Sequence, residues 1–148
     1  MKAHPYLRAY MAGTFIPTLV LMVIACGYAV FRFGLNVPVA IERGIIFPVA
    51  FVPNLWGIWN VIFLKIHEKH AWAIGAHGAL LPFVLAPMGL LVGGAFSLVA
   101  FRGAAMIFMN AVMIPYGALA AGVCCAVILY YFVWKYIVGF LNEVVGVA

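Results

Sequence analysis

The sequence predicts an all-α integral membrane protein, an antiparallel bundle of four transmembrane helices kinked by proline. Three observations carry this expectation. Hydrophobic residues make up 69% of the 148 residues and charged residues only 7%, whereas soluble domains are roughly half apolar and a quarter charged. Four apolar runs each reach the ~20 residues that a helix needs to cross a hydrocarbon core. The eight Lys and Arg residues cluster at the ends of those runs, where cationic side chains meet lipid headgroups. The mean hydropathy of +1.22 agrees. A soluble chain this short has too much surface for its volume to hide so much apolar area. Composition thus argues against a soluble enzyme, a disordered chain and a nucleic-acid-binding domain. The net charge of +5 is spread thinly and forms no basic patch.

The first run, Met11 to Phe31, lies between Arg8 and Arg32. Lys2 and Arg8 followed by apolar residues up to Cys26 also have the charged and apolar regions of a secretory signal. The residues around Cys26 resemble the lipobox of bacterial lipoproteins. The apolar run continues to Phe31 and completes a span, so an uncleaved helix is expected. The second run is Ile45 to Leu64, between Arg43 and Lys65. The third is Ala79 to Phe101, between His77 and Arg102, and the fourth is Ala111 to about Trp134, ending at Lys135. In lipid a segment must satisfy its own backbone hydrogen bonds, so these runs read as helices. None alternates as a barrel strand would. The connections Phe33–Gly44, Lys65–Gly78 and Arg102–Asn110 are short, and short loops join antiparallel neighbours. The whole chain therefore reads as a single membrane domain.

Charge sets the expected orientation. Lys2, Arg8, Lys65, Lys69 and Lys135 fall on one side, and Arg32, Arg43 and Arg102 on the other. The excess of cations places both termini in the cytoplasm, and the inner membrane of a bacterium is the expected location. Tyr130, Tyr131, Trp134, Tyr136 and Trp72 would form the aromatic belt on that side.

Helices in lipid approach closely through small residues. The third span holds Gly89-x-x-x-Gly93 and the fourth Ala118-x-x-x-Gly122. Those faces are expected to pack on each other within the chain, with a homodimer as the alternative. Pro17, Pro48, Pro53, Pro82, Pro87 and Pro115 each remove a helical hydrogen bond and favour a kink. Cys26, Cys124 and Cys125 show no metal or redox spacing and read as small buried hydrophobes.

Two constellations are candidates for chemistry. In the second span, Trp56, Trp59 and Asn60 share a face at i, i+3 and i+4, with Asn54 about 120° from Asn60. Buried amides need partners. The four residues are therefore either a polar, aromatic-walled pocket for a small ligand or lipid, or interhelical hydrogen-bonding groups. At the end of that span, His67 and His70 share a face, and His77 across the loop could supply a third metal ligand. The spacing is not H-E-x-x-H. The bland alternative is a solvated interfacial turn.

Absences narrow the function. No acidic residue lies within a span, which argues against the proton-coupled small multidrug resistance transporters. The lack of C-x-x-C argues against the four-helix quinone-linked disulfide oxidases. Ser97, the single serine, has no histidine at its depth for hydrolysis. The expectation is a non-catalytic binding, scaffold or complex-subunit protein with no cofactor. Its partners would be the bilayer and either a second copy or another membrane protein. A small transporter or ligand-binding protein built on Asn54, Trp56, Trp59 and Asn60 is the first alternative. A metal-dependent membrane enzyme at His67, His70 and His77 is the second.

Overall fold

A computed structural model describes residues 4–36, 42–70, 72–110 and 112–147, with the backbone alone at 42–50 and 69. Lys2, Ala111 and the side chains of Arg43, Pro48 and Lys69 lie outside the described residues.

The chain is mostly helical. Helix α1 spans Pro5–Ala29 and continues as a π-helical segment, Val30–Gly34. Helix α2 spans Glu42–His70. The short α3, Ile74–Ala79, leads into α4, Pro82–Ala95. Helix α5, Tyr116–Phe132, passes through a second π-helical segment, Val133–Val138, into α6, Gly139–Val144. Among the described residues, three stretches are long and apolar enough to cross a membrane: Pro5–Gly34, Ile74–Ala95 and Tyr116–Val144.

An all-helical chain is corrected by a small antiparallel sheet. Strands β1 (Val99–Arg102), β2 (Ala105–Phe108) and β3 (Val112–Pro115) pair in the order β1-β2-β3. They occupy the expected end of the third helix and the expected start of the fourth. Three local features explain the change. After α4, Ser97 adopts a left-handed conformation, φ 56. Its N–H bonds the Gly94 carbonyl at 3.0 Å, and the Leu98 N–H bonds Gly93 at 2.7 Å, which is the hydrogen-bond pattern of a Schellman stop. Gly103, with φ +58, then occupies the first central position of the two-residue turn between Arg102 and Ala105, as a II′ hairpin requires. Pro115, which lacks an N–H, sits at the end of β3 on the sheet edge.

Two prolines expected inside spans mark helix boundaries instead. Pro82 opens α4 and cannot donate to the Gly78 carbonyl one turn back. That carbonyl accepts from the Leu81 N–H at 3.0 Å instead, and α3 and α4 part there. Pro115 directly precedes α5, a place where a fixed φ and a missing donor are harmless. Pro17 and Pro87 remain inside α1 and α4. The two departures into wide π turns contain no proline.

Helices α1 and α2 run antiparallel in close contact. A Cβ on Gly13 would come within 2.6 Å of the Trp56 carbonyl oxygen, and one on Gly57 within 2.6 Å of the Tyr10 ring. Ala9, Ala12, Gly13 and Pro17 form the buried face of α1. The α1–α2 contact is therefore built on Ala9-x-x-x-Gly13 against Gly57. The buried centre is Trp56, Leu81, Trp134 and Val138, where α2, α4 and the α5–α6 helix meet. Gly78 lies so close to Trp134 that a Cβ would overlap its ring.

Candidate functional site

Asn60 is fully buried and Asn142 nearly so. Asn60 Nδ2 donates to Asn142 Oδ1 at 2.7 Å, and Asn142 Nδ2 donates back to Asn60 Oδ1 at 3.0 Å. The remaining Asn60 amide hydrogen reaches the Ala9 carbonyl at 2.7 Å. The two amides thus close a ring that joins α2 to α6 and ties both to α1. At the next residue of α1, the Tyr10 hydroxyl donates to Asn54 Oδ1. Near the end of the chain Arg8 Nη1 donates to the Val145 carbonyl at 2.8 Å. Such bonds hold helices together in lipid, where each polar group needs a protein partner.

Trp59 and His77 form a second reciprocal pair. Trp59 Nε1 donates to the His77 carbonyl at 3.0 Å, and His77 Nε2 reaches the Trp59 carbonyl at 3.0 Å. A carbonyl only accepts, so Nε2 carries the proton and Nδ1 keeps the lone pair. His77 is 1% exposed. Its ring stacks on Trp59 at a centroid distance of 4.8 Å and 25°, with Phe63 at 5.4 Å and Trp134 at 5.9 Å. His77 was expected at the edge of the third span. It lies inside the helical core because α3 begins three residues before it, and Gly75 and Gly78 let that helix press against Tyr131 and Trp134.

The expected metal set is dispersed. His67 Nδ1 donates to the Trp72 carbonyl at 3.0 Å, His70 is exposed in the last turn of α2, and His77 is buried as described. Among the described residues no three His, Cys, Asp or Glu side chains gather as a metal site.

The expected ligand quartet is divided among different environments. Asn60 is taken up by Asn142 and Ala9, Trp59 by His77, and Asn54 is exposed beside Tyr10. Trp56 lines a cavity of about 320 Å³ with Ile16, Pro17, Val20, Tyr130 and Val133. Its walls are apolar, and the Trp56 and Tyr130 rings lie 5.0 Å apart.

The small-residue faces of α4 and α5 stand apart as the walls of an open groove of about 370 Å³. Pro82, Leu85 and Ala86 face Ala118, Gly122 and Ala126. A Cβ on Gly122 would meet nothing within 4 Å. Gly89 is half-buried in α4, while Gly93 packs against Val99 of β1. The three cysteines, expected to be buried, are exposed on the helix surfaces, where a membrane-spanning helix would present them to lipid.

Asn142, Gly13 and Gly57 were missed by sequence reasoning. Asn142 lies beyond Lys135, where the fourth span seemed to end. The Ala9-x-x-x-Gly13 spacing is the same small-residue signal as in the third and fourth spans. Comparison with protein families, with curated proteins and with solved structures finds no match to this chain.

Proposed function

We propose that the chain is a non-catalytic subunit or scaffold of the bacterial inner membrane that holds a transmembrane helix of another membrane protein. The groove between α4 and α5 carries this reading. Its floor is open at Gly122, and its walls include Ala86, Ala118 and Ala126. Small residues let a second backbone approach closely in lipid. The buried Asn and His groups, by contrast, are committed to bonds within the chain.

The topology proposed with it is a four-crossing bundle of α1, α2, the α3–α4 pair and the α5–α6 helix. The Arg8–Val145 bond supports it, because an even number of crossings returns the chain end to its starting side. Both termini are assigned to the cytoplasm from the Lys/Arg count.

The test is photocrosslinking in native membranes with a benzophenone side chain at Leu119. A discrete protein adduct is expected, and Gly122→Leu should abolish it while the variant still inserts and folds. Adducts of lipid alone, or a protein adduct unchanged by Gly122→Leu, would sink the proposal.

A further inference from the structure

A cleft of about 280 Å³ lies at the end of the bundle where α2 leaves off and α6 begins. It is lined by Phe63, His67, Trp72, Ile74, Lys135 and Glu143, among others. It shares no lining residue with the α4–α5 groove, and its role does not depend on that groove. Its volume lies just below the range of ligand sites, ~300 to 1,000 Å³, and suits a small headgroup.

The cleft carries both signs of charge, on Lys135 and Glu143. Lys135 Nζ lies over the Tyr131 and Tyr136 rings, 5.8 and 5.1 Å from their centroids. Neither Lys135 nor Glu143 makes an ion pair with a described residue. Both are exposed. In an unbroken α-helix, eight residues would leave them about 80° apart. The π-helical segment Val133–Val138 between them turns through fewer degrees per residue and narrows that angle. An ammonium and a carboxylate that share a cleft but not a bond leave a place for a ligand bearing the opposite pair. His67 is held to the Trp72 carbonyl, which fixes one wall. Phe63 and Trp72 supply apolar surface for methylene groups.

We propose that this cleft binds a lipid headgroup in which a primary ammonium and a phosphate are joined by a short link, as in phosphatidylethanolamine. The phosphate would meet Lys135 and the ammonium Glu143. A primary ammonium donates hydrogen bonds to a carboxylate, which a quaternary one cannot. A lipid is the source favoured by position. The cleft lies beside the ends of apolar helices, with the Tyr131 and Tyr136 rings next to it, as rings at headgroup level do.

The test uses the full chain, equilibrated with mixed micelles of equimolar phosphatidylethanolamine, phosphatidylglycerol and phosphatidylcholine. Bound lipid is read by native mass spectrometry. Phosphatidylethanolamine should be retained about tenfold over the other two, the worth of one charge-assisted hydrogen bond. Glu143→Gln should bring retention close to parity, and Lys135→Gln should lower retention of all three lipids, each with unchanged thermal unfolding. Glu68→Gln, outside the cleft, should leave the preference intact. Equal retention of the three lipids, a preference that survives Glu143→Gln, or retention unchanged by Lys135→Gln would overturn the proposal. Displacement of the lipid by millimolar free phosphoethanolamine would overturn the lipid assignment in favour of a soluble zwitterion.

Discussion

Asn60 has two amide hydrogens and one carbonyl oxygen, and all three are engaged with protein atoms. Replacing it by leucine keeps the volume but leaves the Asn142 amide buried without its partner. Leaving such groups unsatisfied costs about 1–3 kcal/mol. Asn60→Leu and Asn142→Leu should each destabilise by that amount. The double variant should lose less than the sum by about 1 kcal/mol, because the second change removes a group already orphaned. Steric-trap unfolding in lipid measures the cycle, and strictly additive losses would dissolve the pair. The need of Asn60 for a partner was legible in the sequence. The partner was not, because Lys135 and the aromatic residues around it looked like the end of a span. A lysine can extend its ammonium outward while the helix carries on, and the chain continues for two more turns to reach Asn142. His77 was misplaced for a related reason. A histidine in a Gly/Ala stretch reads as a loop, yet Gly75 and Gly78 are small so that α3 can reach the α5–α6 helix.

At the scale of elements, glycines with and without neighbours make a sharp comparison. Gly78→Ala places a methyl inside the Trp134 ring, whereas Gly122→Ala extends into open space. The first should cost about 1–3 kcal/mol through overpacking against a fully buried ring. The second should stay within about 0.5 kcal/mol, since it touches nothing in the chain. Thermal unfolding of the two variants in the same detergent decides it, and equal losses would contradict the placement of α3. The apolar runs announced a mostly helical chain with long apolar helices, because composition is what a bilayer selects. The sheet escaped notice for the same reason. Val99–Phe101 and Val112–Ile114 are as apolar as a span, and continuous hydrophobicity does not distinguish strand from helix. The deciding cues were local: a left-handed Ser97, where glycine is the usual signal, and the Arg102–Gly103–Ala104 turn.

For the molecule as a whole, the start of α1 meets α6 and the residue after it. Arg8 bonds the Val145 carbonyl, and Asn142 shares its amide ring with Asn60 beside Ala9. The proposed orientation puts this meeting point at the cytoplasmic end of the bundle. A fluorescent reporter that folds only in the cytoplasm should be active when fused to either terminus, and alkaline phosphatase inactive at both. Activity of the two reporters at opposite ends would refute the even number of crossings. The dominance of long apolar helices was readable from composition alone. The partition of space between helices was not, since small-residue spacing marks where backbones come close without saying which backbone arrives.

The amide ring also has a history in time. Asn60 and Asn142 are 82 residues apart, and a ribosome adds about 5–20 residues per second. Asn60 therefore waits some 4–16 s, on that rate, before its second partner is made. During that interval the Ala9 carbonyl, already synthesised, is the acceptor at hand. The bundle can begin with α1 and α2 joined at Ala9 and Asn60, and the last helix completes the ring when it arrives.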